Sequence, residues 1–236
     1  MNRMLTAGLL IAAAVLTTTA FTALGTVFNY PDILKQPVEE VLAAFRASQT
    51  AVTGWFTLLA ASAALFAPIA VGVGRLSASP LMRAAVPVGI AAAGVQVVGL
   101  LRWPLLVPHY AADAASTDPA VAAAARQSFI TAHEILGQLV GESFGYLLTA
   151  AWTLLVLAAL RRTIGGVWFL VVGSVSAVLI LGGVLSPLHL PVIDAANFIG
   201  YLIWSAWLVA FAVLLLRRPR AVTHTATPSA LADSRS

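Results

Sequence analysis

The chain has 236 residues, of which 60% are hydrophobic and only 9% are charged, and its mean hydropathy is +0.94. A soluble domain carries about 25% charged residues, so this composition excludes an ordinary water-soluble fold and predicts an integral membrane protein. The net charge of +4 does not indicate nucleic-acid binding, because the Arg residues stand at the ends of apolar runs, as membrane topology requires. The absence of cysteine excludes disulfides and thiolate metal sites.

Six apolar runs are long enough to cross a bilayer, which takes about 20 residues. The predicted spans lie at about 4–28, 52–74, 84–106, 132–160, 167–185 and 196–216. Arg3 and the sequence at 18–20 would also suit a cleaved signal peptide, but the uncharged run continues past that point, which favours a retained helix. The predicted fold is all-α, with one six-span domain over 1–216 and a disordered cytoplasmic tail over 217–236.

Two stretches between the spans have helical signals. The first carries apolar residues at i, i+3, i+4 and i+7, namely Val38, Val41, Leu42 and Phe45. This spacing predicts a short amphipathic helix over about 37–46, lying on the bilayer surface or serving as a simple connector. The second is Asp118-Pro119, a capping residue followed by a proline suited to the first turn, and it predicts one helix from Pro119 to Leu160.

Basic residues are divided unequally between the two sides of the predicted membrane domain. Nine lie on one side, namely Arg3, Arg75, Arg83, Arg161, Arg162, Arg217, Arg218, Arg220 and Arg235, and four on the other, namely Lys35, Arg46, Arg102 and Arg126. Eight of the nine acids, all but Asp233, fall on the side with fewer basic residues. The positive-inside rule therefore predicts a multi-pass protein of the cell (inner or plasma) membrane with both termini in the cytoplasm.

The later part of the chain contains an internal repeat. Residues 145–152 and 200–207 are identical at five of eight positions, and upstream of them the proline-flanked segments 104–108 and 187–191 also match. Gly54-Trp55 in the second span is a weaker third match to the repeated segment. Convergence between apolar helices is the alternative, but two motifs in the same order favour a duplication, which predicts three helical-hairpin repeats.

Polar residues at the outer ends of spans four and six are the candidate ligand-binding groups. Glu142 and Asn197 both stand three residues before a Gly-Tyr pair. A four-residue spacing places Glu134, Gln138, Glu142 and Tyr146 on one predicted stripe, and Asp194, Asn197, Tyr201 and Trp204 form a second. An ionisable group at membrane depth is by default a functional hypothesis. The sequence thus predicts an outward-facing polar pocket that binds a small ligand, lipid headgroup or ion, with a transporter as one form of this function; its predicted lining is Arg102, Glu134, Gln138, Glu142, Asp194, Asn197 and Tyr201.

Each of these residues also has a structural interpretation. Glu142 would pair with Arg102 or be solvated at the rim, and Asp194 would cap the sixth span. The aromatic residues of the two stripes would be interface anchors. Small residues recur every four positions at Gly137, Gly141 and Gly145, a spacing typical of close helix packing and, in a scaffold protein, of a partner-binding face.

Metal and catalytic signals are weak. His109, His133 and His189 share the outer side with carboxylates, which is suitable ligand chemistry, but no two of them are spaced i, i+4 on one helix. No nucleophile elbow or phosphate loop is present in the sequence. The sequence therefore predicts a non-enzymatic protein without catalytic residues, cofactor or metal; a haem- or metal-dependent redox enzyme and a membrane scaffold are the alternatives. The predicted partners are the lipid bilayer and a small ligand or ion. A homodimer is a further prediction, because six helices are few for an alternating-access transporter.

Three segments carry a family resemblance, namely 28–34 (FNYPDIL), 100–104 (LLRWP) and 141–146 (GESFGY). In these motifs the chain resembles a bacterial, mainly actinobacterial, family of six-helix integral membrane proteins of unknown function. The resemblance covers roughly residues 4–216. It implies a bacterial inner-membrane location and carries over no catalytic residue and no established activity.

Overall fold

The computed structural model describes residues 2–188 and 190–217. Six helical segments in this part of the chain are long and apolar enough to cross a membrane: Arg3–Phe28, Gln49–Gly74, Pro80–Asp113, Pro119–Leu160, Gly166–Ser186 and Val192–Arg217. The all-α class and the six-span architecture are therefore confirmed. The predicted tail, apart from Arg217, lies outside the described residues.

The described residues form ten α-helices. They are α1 (Arg3–Phe28), α2 (Val38–Ala47), α3 (Gln49–Ala64), α4 (Phe66–Gly74), α5 (Pro80–Leu105), α6 (Val107–Asp113), α7 (Pro119–Ala132), α8 (Gly145–Leu160), α9 (Gly166–Gly182) and α10 (Pro191–Arg217). A π-helix over His133–Phe144 joins α7 to α8, and short 3₁₀ turns cover Asp32–Lys35 and Gly183–Leu188. The second span is divided into α3 and α4 at Leu65, because Pro68 has no N–H to donate to the carbonyl of Ala64.

The spans form a closed ring in chain order. Each one packs against the span before it and the span after it, and α10 returns to pack against α1. Because successive spans are antiparallel, charged residues collect at the two ends of the ring. We call the end with Arg3, Arg75, Arg83, Arg161, Arg162 and Arg217 the basic end, and the opposite one the acidic end. Which end faces the cytoplasm stays a prediction from the positive-inside rule.

Helices α2, α6 and α7 form an outer cap over the acidic end. The apolar face of α2 is buried, and its Phe45 packs against Phe28 and Trp103, with ring centroids 6.4 and 6.1 Å apart. Arg46 of α2 donates a 2.9 Å hydrogen bond to the carbonyl of Ala111 in α6. The apolar face of the amphipathic helix thus packs on protein, and the chain after the third span is helical over Val107–Asp113.

An aromatic cluster lies at the centre of the ring, where spans two, four and six meet. It consists of Phe66, Trp152 and Trp204, with ring centroids 4.8 to 6.5 Å apart. Trp204 Nε1 donates a 2.9 Å hydrogen bond to the hydroxyl of Thr153. We call these three residues the central aromatic cluster.

Replacing Thr153 with Val should destabilise this centre modestly. The substitution keeps the shape and removes the acceptor for the indole N–H, and such bonds inside membrane proteins contribute about 0.6 kcal/mol on average and at most about 1.7 kcal/mol. Thermal unfolding in detergent would measure the change. Thr57→Val serves as the control, because the exposed Thr57 hydroxyl bonds only to the Thr53 carbonyl of its own helix. An equal effect from both variants would contradict the role assigned to Trp204.

The two later hairpins make corresponding contacts. A Cβ added to Gly89 would meet the ring of Trp152, and one added to Gly173 would meet the ring of Trp207. Likewise Gly145 faces Gln96, and Gly200 faces Leu179 and Ile180. Each contact of the last hairpin has a counterpart in the hairpin before it. The residues of its first helix stand 84 positions after their counterparts (173 − 89 and 180 − 96), and those of its second helix stand 55 positions after theirs (207 − 152 and 200 − 145). At Gly54, in the weaker third match to the repeated segment, no described heavy atom lies within 4 Å of an added Cβ. The duplication itself stays a prediction.

Candidate functional site

The π-helix of span four holds three of the seven predicted site residues, Glu134, Gln138 and Glu142. Its backbone bonds run from i to i+5, so this part of the span is wider than an α-helix. Glu134 is exposed, while Gln138, Glu142 and Tyr146 are half-buried. The predicted polar stripe therefore starts at an exposed carboxylate and continues into the partly buried part of the span, and its role in ligand binding stays a prediction.

The three glycines of this region face α5 of the same chain. A Cβ on Gly141 would lie 2.9 Å from Gly99 Cα, so the two backbones are nearly in contact. Along the crossing of the two helices, Gly137 faces Arg102, Gly141 faces Gly99 and Gly145 faces Gln96. This glycine face is covered by α5, which leaves it closed to a partner protein.

Arg102 is buried at this crossing, with 5% of its surface exposed. One terminal nitrogen donates to the carbonyl of Gly99, and the other lies 3.3 Å from Nδ1 of His133. The guanidinium also lies over the ring of Trp103, 5.4 Å from its centroid. Its Nε has no hydrogen-bond partner among the described residues. No carboxylate oxygen of the described residues comes within 4.0 Å of it, so the predicted ion pair with Glu142 is not formed.

Glu142 lies in the same region, near the acidic end of its span. It stands 18 residues before Leu160, so it is about 27 Å from the basic end of its span. Several ionisable side chains from other elements lie within electrostatic range of the Glu142 carboxyl, namely Tyr30, Arg102, Tyr146, Asp194 and Tyr201. The rings of Tyr146 and Tyr201 are 5.9 Å apart and bring spans four and six together at this level. We call Tyr30, Arg102, His133, Glu142, Tyr146 and Tyr201 the polar cluster.

Tyr30 belongs to the polar cluster although it lies outside the predicted spans. Asn29 ends α1 in the left-handed region at φ 51°, a conformation asparagine tolerates, and the chain turns back over the bundle. The Tyr30 ring packs edge-on against Phe56, with centroids 5.2 Å apart. Burial raises the pKa of Tyr30 to about 12; the Glu142 carboxylate adds to this rise and the Arg102 guanidinium opposes it. The hydroxyl is therefore protonated at neutral pH and can donate a hydrogen bond.

Two predicted site residues of span six have structural contacts. Asn197 is buried and donates a 2.9 Å hydrogen bond to the carbonyl of Ile180, which ties α10 to α9. Asp194 is not the helix cap, because α10 already begins at Pro191, a residue suited to the first turn. Its carboxylate instead lies 3.9 Å from the ammonium of Lys35, in the loop after α1.

The candidate metal ligands do not form a site in the part of the chain described. No group of three or more His, Cys, Asp or Glu side chains there is arranged to hold a metal ion. His109 is exposed, and His133 stacks on Phe129 and contacts Arg102. His189 lies outside the described residues.

A few polar residues of the interior were missed by the sequence reasoning. Gln96 donates a 3.0 Å hydrogen bond to the hydroxyl of the buried Thr149, one level below the polar cluster. The hydroxyl of Thr153, one turn further along the same helix, accepts the hydrogen bond of Trp204. A lone Gln in an apolar run was the available signal for Gln96. Nothing in the sequence indicates that Tyr30 would turn inward.

Comparison with known proteins places the chain in a family. No curated protein and no solved structure matches it. A family model described as a domain of unknown function, DUF4386, matches residues 5–212. The expected uncharacterised family is thereby confirmed, while bacterial origin and an inner-membrane location stay predictions. Since the match spans nearly the whole membrane domain, the chain belongs to the DUF4386 family.

Proposed function

We propose that this multi-pass membrane protein binds the oxyanion group of a small acidic solute in the polar cluster, with Arg102 as the principal ligand. The observation that carries the proposal is the buried Arg102 guanidinium, whose Nε has no partner and which has no carboxylate within 4.0 Å among the described residues. Carboxylate and phosphate groups match the planar donor fork of Arg, so the proposed chemistry is recognition of an oxyanion.

Burying the Arg102 charge is costly unless the charge is paired. An isolated cation removed from water is strongly unfavourable unless it is paired, and the hydrogen-bonding partners of Arg102 are a backbone carbonyl and a histidine ring. Ionisable groups within membrane spans typically face the bundle interior and mark substrate pathways. A bound anion would supply a negative charge in direct contact with Arg102 and the missing acceptor for Nε. The protonated hydroxyl of Tyr30 is a second donor at the same level.

The location of the polar cluster suits a transport function. The outer cap lies above it, and the central aromatic cluster lies below it, so a bound solute would be separated from both ends. Alternating access requires an interior site of this kind. We therefore include solute transport in the proposal, with liposome uptake of a radiolabelled carboxylate as its direct assay.

Glu142 gives the proposed site a pH dependence with a defined sign. Its carboxylate and a bound oxyanion have the same charge and share the field of Arg102. Protonation of Glu142 removes this repulsion, so anion binding should strengthen as the pH falls, and binding should be accompanied by proton uptake. Coupling between sites of this kind is typically 5- to 150-fold in affinity.

Replacing Glu142 with Gln should abolish that pH dependence. Gln has the shape of the protonated acid and carries no charge, so anion affinity should stay at its low-pH value across the range from pH 5 to 8. Titrations of anion binding at several pH values would measure this. Glu134→Gln is the matched control, since Glu134 lies in the same π-helix but is exposed. If Glu142→Gln keeps the wild-type pH profile, Glu142 is not the coupled group.

The oxyanion class itself can be tested by a thermal-shift panel on purified protein. Ligands that bind only the folded state raise its stability by RT ln(1 + [L]/Kd), or about 2.7 kcal/mol at 100 times Kd. We expect stabilisation by monocarboxylates, dicarboxylates or phosphate, and none by matched amines or neutral sugars at the same ionic strength. Stabilisation by amines alone, or by no member of the panel, would contradict the proposal.

A further inference from the structure

A cavity of about 200 Å³ lies at the basic end, at the far side of the bundle from the polar cluster. It is formed between the start of α1 and the end of α4, and its lining is Asn2, Arg3, Thr6, Gly72, Arg75 and Leu76. Two Arg residues from different spans therefore border one cleft. Gly72, which is buried, lies on the α4 side of the cavity.

The charge around this cavity is one-sided. Every Asp and Glu among the described residues belongs to the acidic end or to the loops beside it. Neither Arg3 nor Arg75 has an ion-pair partner within 4.0 Å in the described chain, and both are exposed at the end of a membrane span. Such a position is the level of the lipid headgroups, and juxtamembrane Lys and Arg attract anionic headgroups there.

The rest of the cavity is suited to an amphiphile. Asn2 accepts the Leu5 N–H through its side chain, so the first turn of α1 is fixed beside the cleft. Leu5 itself is 52% exposed on the outside of the ring, and Leu76 contributes an apolar wall. A phosphate in the cleft would thus have donors on two sides and an apolar helix surface leading away from it along the membrane.

We propose that this cavity is a binding site for the phosphate of an anionic phospholipid, held between Arg3 and Arg75. A lipid such as phosphatidylglycerol brings a phosphate without a compensating cation. Phosphatidylcholine brings a quaternary ammonium that the two Arg residues repel, so the site should discriminate between the two headgroups. This lipid site is separate from the oxyanion site at Arg102 and does not depend on it.

Native mass spectrometry of the full chain in mixed micelles tests the proposal. The micelles contain equal amounts of phosphatidylglycerol and phosphatidylcholine, and the variants are Arg3→Gln, Arg75→Gln and the double substitution. Each basic residue near a membrane surface contributes about a fivefold gain in affinity for anionic lipid, so the double variant should bind phosphatidylglycerol about 30-fold more weakly. Arg83→Gln is the matched control, because Arg83 is exposed at the same end and does not line the cavity.

The outcomes separate the site from general surface attraction. Selective loss of the phosphatidylglycerol adduct in the double variant, with Arg83→Gln unchanged, supports the site. Equal adducts in all variants, or equal losses from Arg75→Gln and Arg83→Gln, would overturn it. Binding of inorganic phosphate to the wild type without any lipid adduct would overturn the assignment to a lipid. All three positions are exposed, so the variants should fold, and thermal unfolding of each one verifies this.

Discussion

Arg102→Gln is expected to lose oxyanion binding by at least 100-fold while the unliganded protein stays folded. Hydrogen bonds to charged groups contribute about 1.5 to 3 kcal/mol each, so losing a two-bond contact corresponds to roughly 100-fold to 10⁴-fold in affinity. The fold should tolerate the change, because removing a buried cation that has no paired carboxylate also removes its desolvation cost. Thermal unfolding with and without the anion measures both quantities on one sample.

A second substitution at the same position makes the result specific. Arg102→Lys keeps the positive charge and loses the planar donor fork, so it should retain weak anion binding with reduced preference for oxyanions over halides. Lys35→Gln is the control, because Lys35 is exposed in the loop after α1 and pairs with Asp32 and Asp194. If Arg102→Gln binds the anion as the wild type does, Arg102 is a structural residue and the proposed function fails.

Gly141→Leu is expected to be the most damaging single substitution at the crossing of α5 and the π-helix. The new Cβ would lie 2.9 Å from Gly99 Cα and 3.1 Å from the carbonyl oxygen of Leu136. Both are backbone atoms, which cannot move aside as a side chain can. Overpacking of this kind costs about 1 to 3 kcal/mol or more, equivalent to a fall in Tm of about 2 to 12 °C for a chain of this size.

The matched control for the crossing is Gly94→Ala. Gly94 lies in the interior of α5 and is exposed, and no described heavy atom would lie within 4 Å of its Cβ. Alanine favours a helix over glycine by about 0.8 to 1.0 kcal/mol, so this variant should be as stable as the wild type or slightly more stable. Equal stability of Gly141→Leu and Gly94→Ala would show that the two backbones do not meet at Gly99.

The membrane architecture was predictable because it follows from local physics. A hydrocarbon core of about 30 Å demands about 20 apolar residues, and this requirement can be counted along the chain without knowing any contact. The start of α7 was predictable for the same reason, since Asp118 accepts the N–H of Ala120 within one turn. Arg102 and Glu142 stood out as ionisable residues beside apolar runs, and the structure places both in the polar cluster.

Features that depend on tertiary contacts escaped the sequence. The apolar face of α2 has the same pattern whether lipid or protein covers it, so Phe45 gave no sign that it packs on the aromatic residues of the spans. The π-helix replaces an α-helical period where Gly141 meets Gly99, which no spacing rule within one helix reveals. Tyr30 turns inward from a loop through the left-handed Asn29, and its neighbours come from distant parts of the chain.

The most direct test of the proposed function is native mass spectrometry of the wild type and Arg102→Gln, each sprayed with the oxyanion that gives the largest thermal shift. We expect a one-to-one adduct of that anion on the wild type and no adduct on the variant at the same concentration. Equal adducts on both proteins, or none on either, would contradict oxyanion binding at Arg102.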